Sequence, residues 1–255
     1  MSKKGASESS PPAAVIALFN SLADAEDTEI ISLEGLQSLG EQIGLDAALD
    51  VRFLVLLWKL GAASKPGCIT RQEFVAGMRT MRKESLEALR QAIPTLDPGF
   101  LERNEFRDFY KFVFQFNREG THKFIGKSRY VFAPTEPNSL LRYCHFFAHI
   151  TSAHIAHCAS HTHDRSTFPE KEVAVDLMKL VLDVNRAPHL EHFIKFLESR
   201  TKTNETINLD EWTTFLQFNY MVNVSLSDYP EDNAFPILFE EYVTWRQSGP
   251  GKCVS

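Results

Sequence analysis

From Val15 onward the chain carries apolar side chains three and four positions apart, the spacing that lines one face of a helix. Val15, Leu18, Phe19 and Leu22 form the first such set, Leu33, Leu36, Leu39 and Ile43 the second, and Phe53, Leu54, Leu56, Leu57 and Leu60 the third. The pattern runs to about Asn117 and predicts a string of short amphipathic helices. Thr70, with Glu73 three residues on and Phe74, Val75 and Met78 behind it, has the form of a capping box and places a helix start. Ser85 opens another helix, which Pro94 and the Asp97-Pro98-Gly99 turn bring to a close. Phe106, Phe109, Tyr110, Phe112, Val113, Phe114 and Phe116 go almost all the way round one helix, as in a buried central element.

The helical pattern resumes from Glu172 to Leu182 and from Leu190 to Glu198. Leu209-Asp210-Glu211-Trp212 starts a helix carrying Phe215, Leu216 and Phe218; after a turn at Asp228 to Asp232, a last apolar run from Ala234 to Val243 ends before Gly249-Pro250-Gly251. Residues 1–12 and 249–255 read as a flexible lead-in and tail. Residues 126–169 differ in texture: they hold six of the nine histidines and only Glu136 and Asp164 as acids. We read them as an irregular insertion between two halves, 13–125 and 170–248, since removing it joins Ile125 to Glu170 as an ordinary helix start. Gly126-Lys127-Ser128 permits a splice-donor codon string and Phe168-Pro169-Glu170 an acceptor, which suggests translated intron sequence; the alternative is a natural loop insertion. The expected fold class is all-α, a multi-helix domain.

A chain of 255 residues, 44% hydrophobic, has enough apolar surface for one large core or two small ones. Its net charge of -6, without a Lys/Arg cluster, excludes the electrostatic footprint of a nucleic-acid binder. Cys68, Cys144, Cys158 and Cys253 have no paired spacing, and no signal-type apolar stretch follows Met1, which favours a reducing compartment. No window reaches the ~18 apolar residues of a membrane span, and no Met-Gly start is present for myristoylation. The expectation is a soluble protein of nucleus and cytoplasm.

The helix-loop-helix rhythm invites an EF-hand reading, which requires oxygen ligands early in the loop, Gly at its sixth position and a bidentate Glu at its twelfth. The window Asp24 to Gly35 has Glu29 where Gly belongs and Gly35 where Glu belongs; Ala62 to Glu73 keeps Gly67, Ile69 and Glu73 but offers Ala62, Ser64 and Pro66 as ligands; Arg200 to Glu211 places Arg200 and Lys202 where carboxylates belong. The windows keep a hydrophobic framework without the ligand set, so the halves read as EF-hand-like and calcium-free. Zinc has two arrangements to choose from, His145 with His149, or His154, His157, Cys158 and His161, with no second shell visible for either; the reading is no metal and no cofactor. No Gly-rich phosphate loop, nucleophile elbow or activated cysteine is present, so no enzyme is expected.

The run Phe106 to Phe116 resembles the aromatic helix of the defective-in-cullin-neddylation family. Leu57-Trp58-Lys59-Leu60 and Ile69 to Met78 resemble the first half of that family's potentiating-neddylation domain; Glu172 to Leu177, Leu180 to Leu182, Ile207 to Trp212 and Asp228 to Val243 resemble the second. The resemblance implies a non-catalytic scaffold that holds a cullin and a charged neddylation conjugating enzyme together within a cullin-RING ligase complex. It implies an acidic surface for the cullin's basic C-terminal winged-helix subdomain at Asp210, Ala234 and Glu240, with Glu at the last position where the family usually has Asp. It implies an apolar pocket for the acetylated N-terminus of the conjugating enzyme at Leu33, Leu36, Phe53, Leu56, Leu57, Leu60 and Ile69. The family's frequent N-terminal ubiquitin-associated domain does not fit in so short a lead-in, so ubiquitin binding is not expected. Two alternatives stand beside the scaffold: a degenerate EF-hand-like calcium binder, and an inactive splice product.

Overall fold

Each apolar set read from the sequence becomes a helix that turns that face inward. The computed structural model describes residues 11–118, 170–200, 206–230 and 234–249; the expected His-rich insertion, with both candidate zinc arrangements, lies outside them. Among the described residues the first half comprises α1 (Ala13–Leu22), α2 (Leu33–Ile43), α3 (Val51–Leu60), α4 (Arg71–Thr80), α5 (Leu86–Arg90) and α6 (Arg103–Asn117). The second comprises α7 (Glu170–Val181), α8 (Leu190–Ser199), α9 (Leu209–Met221) and α10 (Ile237–Ser248). The described residues are all-α apart from two two-residue strands, β1 (Ile30–Ile31) and β2 (Ile69–Thr70), which pair antiparallel with Ile31 opposite Ile69.

Local chemistry fixes where the helices start. Thr70 caps α4 by accepting from the Glu73 N–H, and Glu73 returns the bond to the Thr70 N–H, so the expected capping box is present. Asn208 and Glu211 form the same reciprocal pair at α9. The last helix begins at Ile237, three residues after the apolar run starts, because Pro236 disfavours helical geometry at Phe235 and itself serves as the N-cap.

The ladder joins the loops of the first two windows tested above, and in each loop one acid, Asp24 or Glu73, is used by the loop's own donors. Glu73 accepts from the Ala63 and Ser64 N–H groups at 3.0 and 2.7 Å, and from the Thr70 N–H and hydroxyl at 2.9 and 2.8 Å. Burial works to raise its pKa, but the bonds from Thr70 and Ser64 outweigh that and hold it below the ordinary carboxylate value. Asp24 is held down too, first by the Ser32 hydroxyl and then by the Glu26 N–H. Gly67, whose N–H reaches the Phe116 carbonyl, takes a positive φ of 67°.

The two halves meet along α6, which packs on α3 and on α9. At the α6–α9 contact the Tyr110 and Trp212 rings stack with centroids 4.5 Å apart, and the Trp212 Nε1–H donates to the Tyr110 carbonyl at 2.9 Å. A second tie is Arg186, just after α7: its Nη2 lies 3.0, 3.2 and 2.9 Å from the carbonyl oxygens of Pro98, Gly99 and Leu101, and its guanidinium covers the Phe106 ring. Inside the second half, His189 is fully buried where α8, α9 and α10 converge. Its Nε2 donates to the Val222 carbonyl at 3.1 Å, which leaves Nδ1 to accept from the Tyr242 hydroxyl at 3.1 Å.

Candidate functional site

Two adjacent acidic pairs divide their labour in the second half. In Asp210-Glu211, the Glu211 carboxylate is consumed by the α9 capping box, while Asp210, at the second position of the helix, is exposed. In Glu240-Glu241, the Glu241 carboxylate pairs with Arg200, while Glu240, in the first turn of α10, is exposed. The fold thus uses the second acid of each pair and turns the first outward. Those outward acids are two of the three residues expected for the cullin-facing surface. Ala234, the third, is exposed on the extended approach to α10.

Their surroundings differ. Ala234 and Glu240 flank the start of α10, anchored from below by Phe235 and Phe239, whose rings lie 5.5 and 5.3 Å from that of Phe218. Asp210 sits about 12 Å along the α9 axis from Phe218, at 1.5 Å per residue. It opens onto a groove of about 1210 Å³ between α6 and α9. The opposite wall carries Arg103, Arg107 and Lys111, one turn apart along the exposed face of α6, with Tyr220 and Met221 at the far end. Arg103 stacks over the Tyr220 ring at 4.1 Å. Asp108 lies on the same wall, 4.0 Å from Arg107, so the groove that Asp210 lines is mixed in charge.

The residues expected to line the conjugating-enzyme pocket are brought together, but in the closed core. Phe53, Leu56, Leu57 and Leu60 share one face of α3, and with Leu36 and Ile69 they are at most 1% exposed. Leu33, the first residue of α2, is the one left half-buried. Among the described residues no group of three or more His, Cys, Asp or Glu side chains is placed to hold a metal ion, and no helix is long and apolar enough to cross a membrane.

Three features carried no signal readable in the sequence. Arg186 is a lone basic residue before Ala187-Pro188, and nothing in the sequence sets His189 apart from His192 three residues on. Ile237 reads as core because it belongs to an apolar run, yet it is 72% exposed.

The family model described as Cullin binding matches residues 138–245, beginning within the His-rich segment and covering α7 to α9 and most of α10. DCN1-like protein 3 of Homo sapiens is 27% identical over 229 residues, covering 89% of this chain and 60% of that protein; the same protein of Xenopus laevis matches to the same extent. DCN1-like protein 4 of Danio rerio is 27% identical over 217 residues, covering 85% and 60%. The chain thus spans 60% of the length of each of these relatives.

Proposed function

We propose, from the premise that this is a DCN-like chain, that it serves as a non-catalytic scaffold co-ligase in cullin neddylation. The observation that carries the reading is the Cullin binding match over the helices that present Asp210 and Glu240. In this reading the two outward carboxylates meet the Lys/Arg surface of a cullin's C-terminal winged-helix subdomain in charge-assisted contacts, and the small Ala234 permits close approach. The contribution to the reaction is proximity and orientation rather than covalent chemistry.

The second partner is the acetylated N-terminus of the neddylation conjugating enzyme, docking as a helix in a groove beside α2 and α3. Six of its seven expected contacts are closed in the free chain, so a bound methionine has to part Phe53, Leu56 and their neighbours. Leu33, at the rim, is where that opening starts. Together the two partners place the chain within a cullin-RING ligase complex, with distribution between nucleus and cytoplasm following from diffusion and partner binding.

The test is a pull-down of purified cullin C-terminal domain at moderate salt, by the wild-type chain and by a variant carrying Asp210→Ala, Ala234→Arg and Glu240→Ala. Binding that the variant loses supports the scaffold. A folded wild type that captures no cullin moves the inactive splice product to first place. The intron origin of residues 126–169 is decided by amplifying the transcript across residues 120–175, where a single long product overturns it.

A further inference from the structure

Ile237 is 72% exposed, the highest value of any large hydrophobic side chain among the described residues. It opens α10 directly after Pro236 and lies three residues from both Ala234 and Glu240. Glu240 and Thr244 continue its face of the helix toward solvent, while Phe239, Tyr242 and Val243 bury the opposite face. A lone exposed isoleucine is ordinary on a protein surface. What distinguishes Ile237 is its frame. The backbone that carries it is pinned by the Pro236 cap and by Phe235 and Phe239 packed on Phe218, so the side chain is held out on a rigid support. It also lies inside the stretch matched to Cullin binding, between the two residues of α10 and its approach assigned above to that surface.

An apolar centre within a charged rim is the anatomy of a protein interface, and energetic hot spots sit at such centres. We infer that Ile237 is the apolar anchor of the cullin-docking surface, seated in an apolar notch of the basic winged-helix subdomain with Glu240 and Ala234 at its edge. The inference rests on the scaffold reading and adds to it the residue that holds the complex once charge has guided it. Two kinds of contact then respond differently to ionic strength. Exposed carboxylates are screened within about 3 Å at 1 M salt, whereas burial of an aliphatic side chain is not weakened by salt.

The experiment measures the affinity of the full chain for purified cullin C-terminal domain at about 0.1 M and about 0.5 M sodium chloride. Wild type is compared with Ile237→Ala, Ile237→Val, Glu240→Ala and the triple variant at Asp210, Ala234 and Glu240. Ile237→Ala, which removes three carbons, is expected to weaken binding about 30-fold at both salt concentrations, and Ile237→Val, which removes one, about 3-fold. The Glu240→Ala effect is expected to shrink at the higher salt. Because the side chain is exposed, the far-ultraviolet circular dichroism and melting temperature of Ile237→Ala should match wild type. If Ile237→Ala binds as tightly as wild type while the triple variant loses binding, the anchor is overturned and the scaffold stands. If wild type binds at neither salt concentration, or the triple variant and Ile237→Ala both bind like wild type, this surface is not the docking site and both fall.

Discussion

Arg186 joins the two halves through one nitrogen set among three carbonyl oxygens, with the guanidinium plane resting on Phe106. Hydrogen bonds to a charged group contribute about 1.5–3 kcal/mol. Arg186→Ala is therefore expected to lower unfolding stability by about 2 kcal/mol in urea titrations. Arg186→Lys should recover little, since an ammonium lacks the flat face that stacks on Phe106. Tyr110 presents the opposite case: its hydroxyl is buried without a hydrogen-bond partner among the described residues, and burial pushes its pKa well up. Tyr110→Phe removes that group and keeps the stack on Trp212, so stability is expected to hold or rise by up to ~1 kcal/mol. His189 supplies a pH signature. Burial lowers its pKa from the ordinary 6.5, against the opposing pull of the Val222 carbonyl. Between that lowered value and 6.5 the unfolded chain binds more protons than the folded one, so stability is full above 6.5 and falls as pH drops through the window. Urea midpoints from about pH 5 to about pH 7.5 should show a shallower slope for His189→Gln than for wild type.

The crossing of α4 over α3 leaves no room for a side chain at Gly77. A Cβ added at Gly77 would stand 2.3 Å from the Leu60 carbonyl oxygen and 2.4 Å from its Cα, and these backbone atoms cannot turn aside as a side chain can. Alanine would gain about 1 kcal/mol of intrinsic helix preference, but forcing the helices apart costs about 1–3 kcal/mol. Gly77→Ala is expected to lower the melting temperature, and an unchanged or higher value would mean that the crossing is looser than described. Elements of this kind were largely legible in the sequence, because three- and four-residue apolar spacing and a Thr–Glu capping box act within one turn. The start of α10 was less so: the apolar run from Ala234 suggested an earlier start than the one Pro236 allows. Gly77 had no local signal, since its necessity comes from Leu60 on another helix.

For the molecule as a whole, the loops of the first half are closed by their own carboxylates, with Glu73 accepting from four donors where an EF-hand would offer oxygens to calcium. A calcium ion would have to displace the Ala63, Ser64 and Thr70 donors. Calcium or a chelator is accordingly expected to leave the melting temperature unchanged, and a calcium-dependent rise would restore the calcium-binding alternative. The candidate site was legible in part. Asp210 and Glu240 were named through the family resemblance, and the structure adds why they face outward: Glu211 and Glu241 are used by the cap and by Arg200. The expected pocket residues and ordinary core residues share one apolar spacing, so the sequence had no means of separating an open cleft from a closed core. Ile237 was hidden for the converse reason, since nothing in a run of apolar letters marks the one that points away.

The stack at the α6–α9 contact gives the chain an optical reporter. Its three tryptophans are spread over the fold: Trp58 on α3, Trp212 in the stack and Trp245 near the end of α10. Replacing two at a time with phenylalanine leaves a single indole whose fluorescence follows one region during denaturation. If all three emission curves coincide, the two halves melt as one cooperative body. If the Trp212 curve moves to lower denaturant than the other two, the halves part before either unravels, and the light from one ring records the moment of separation.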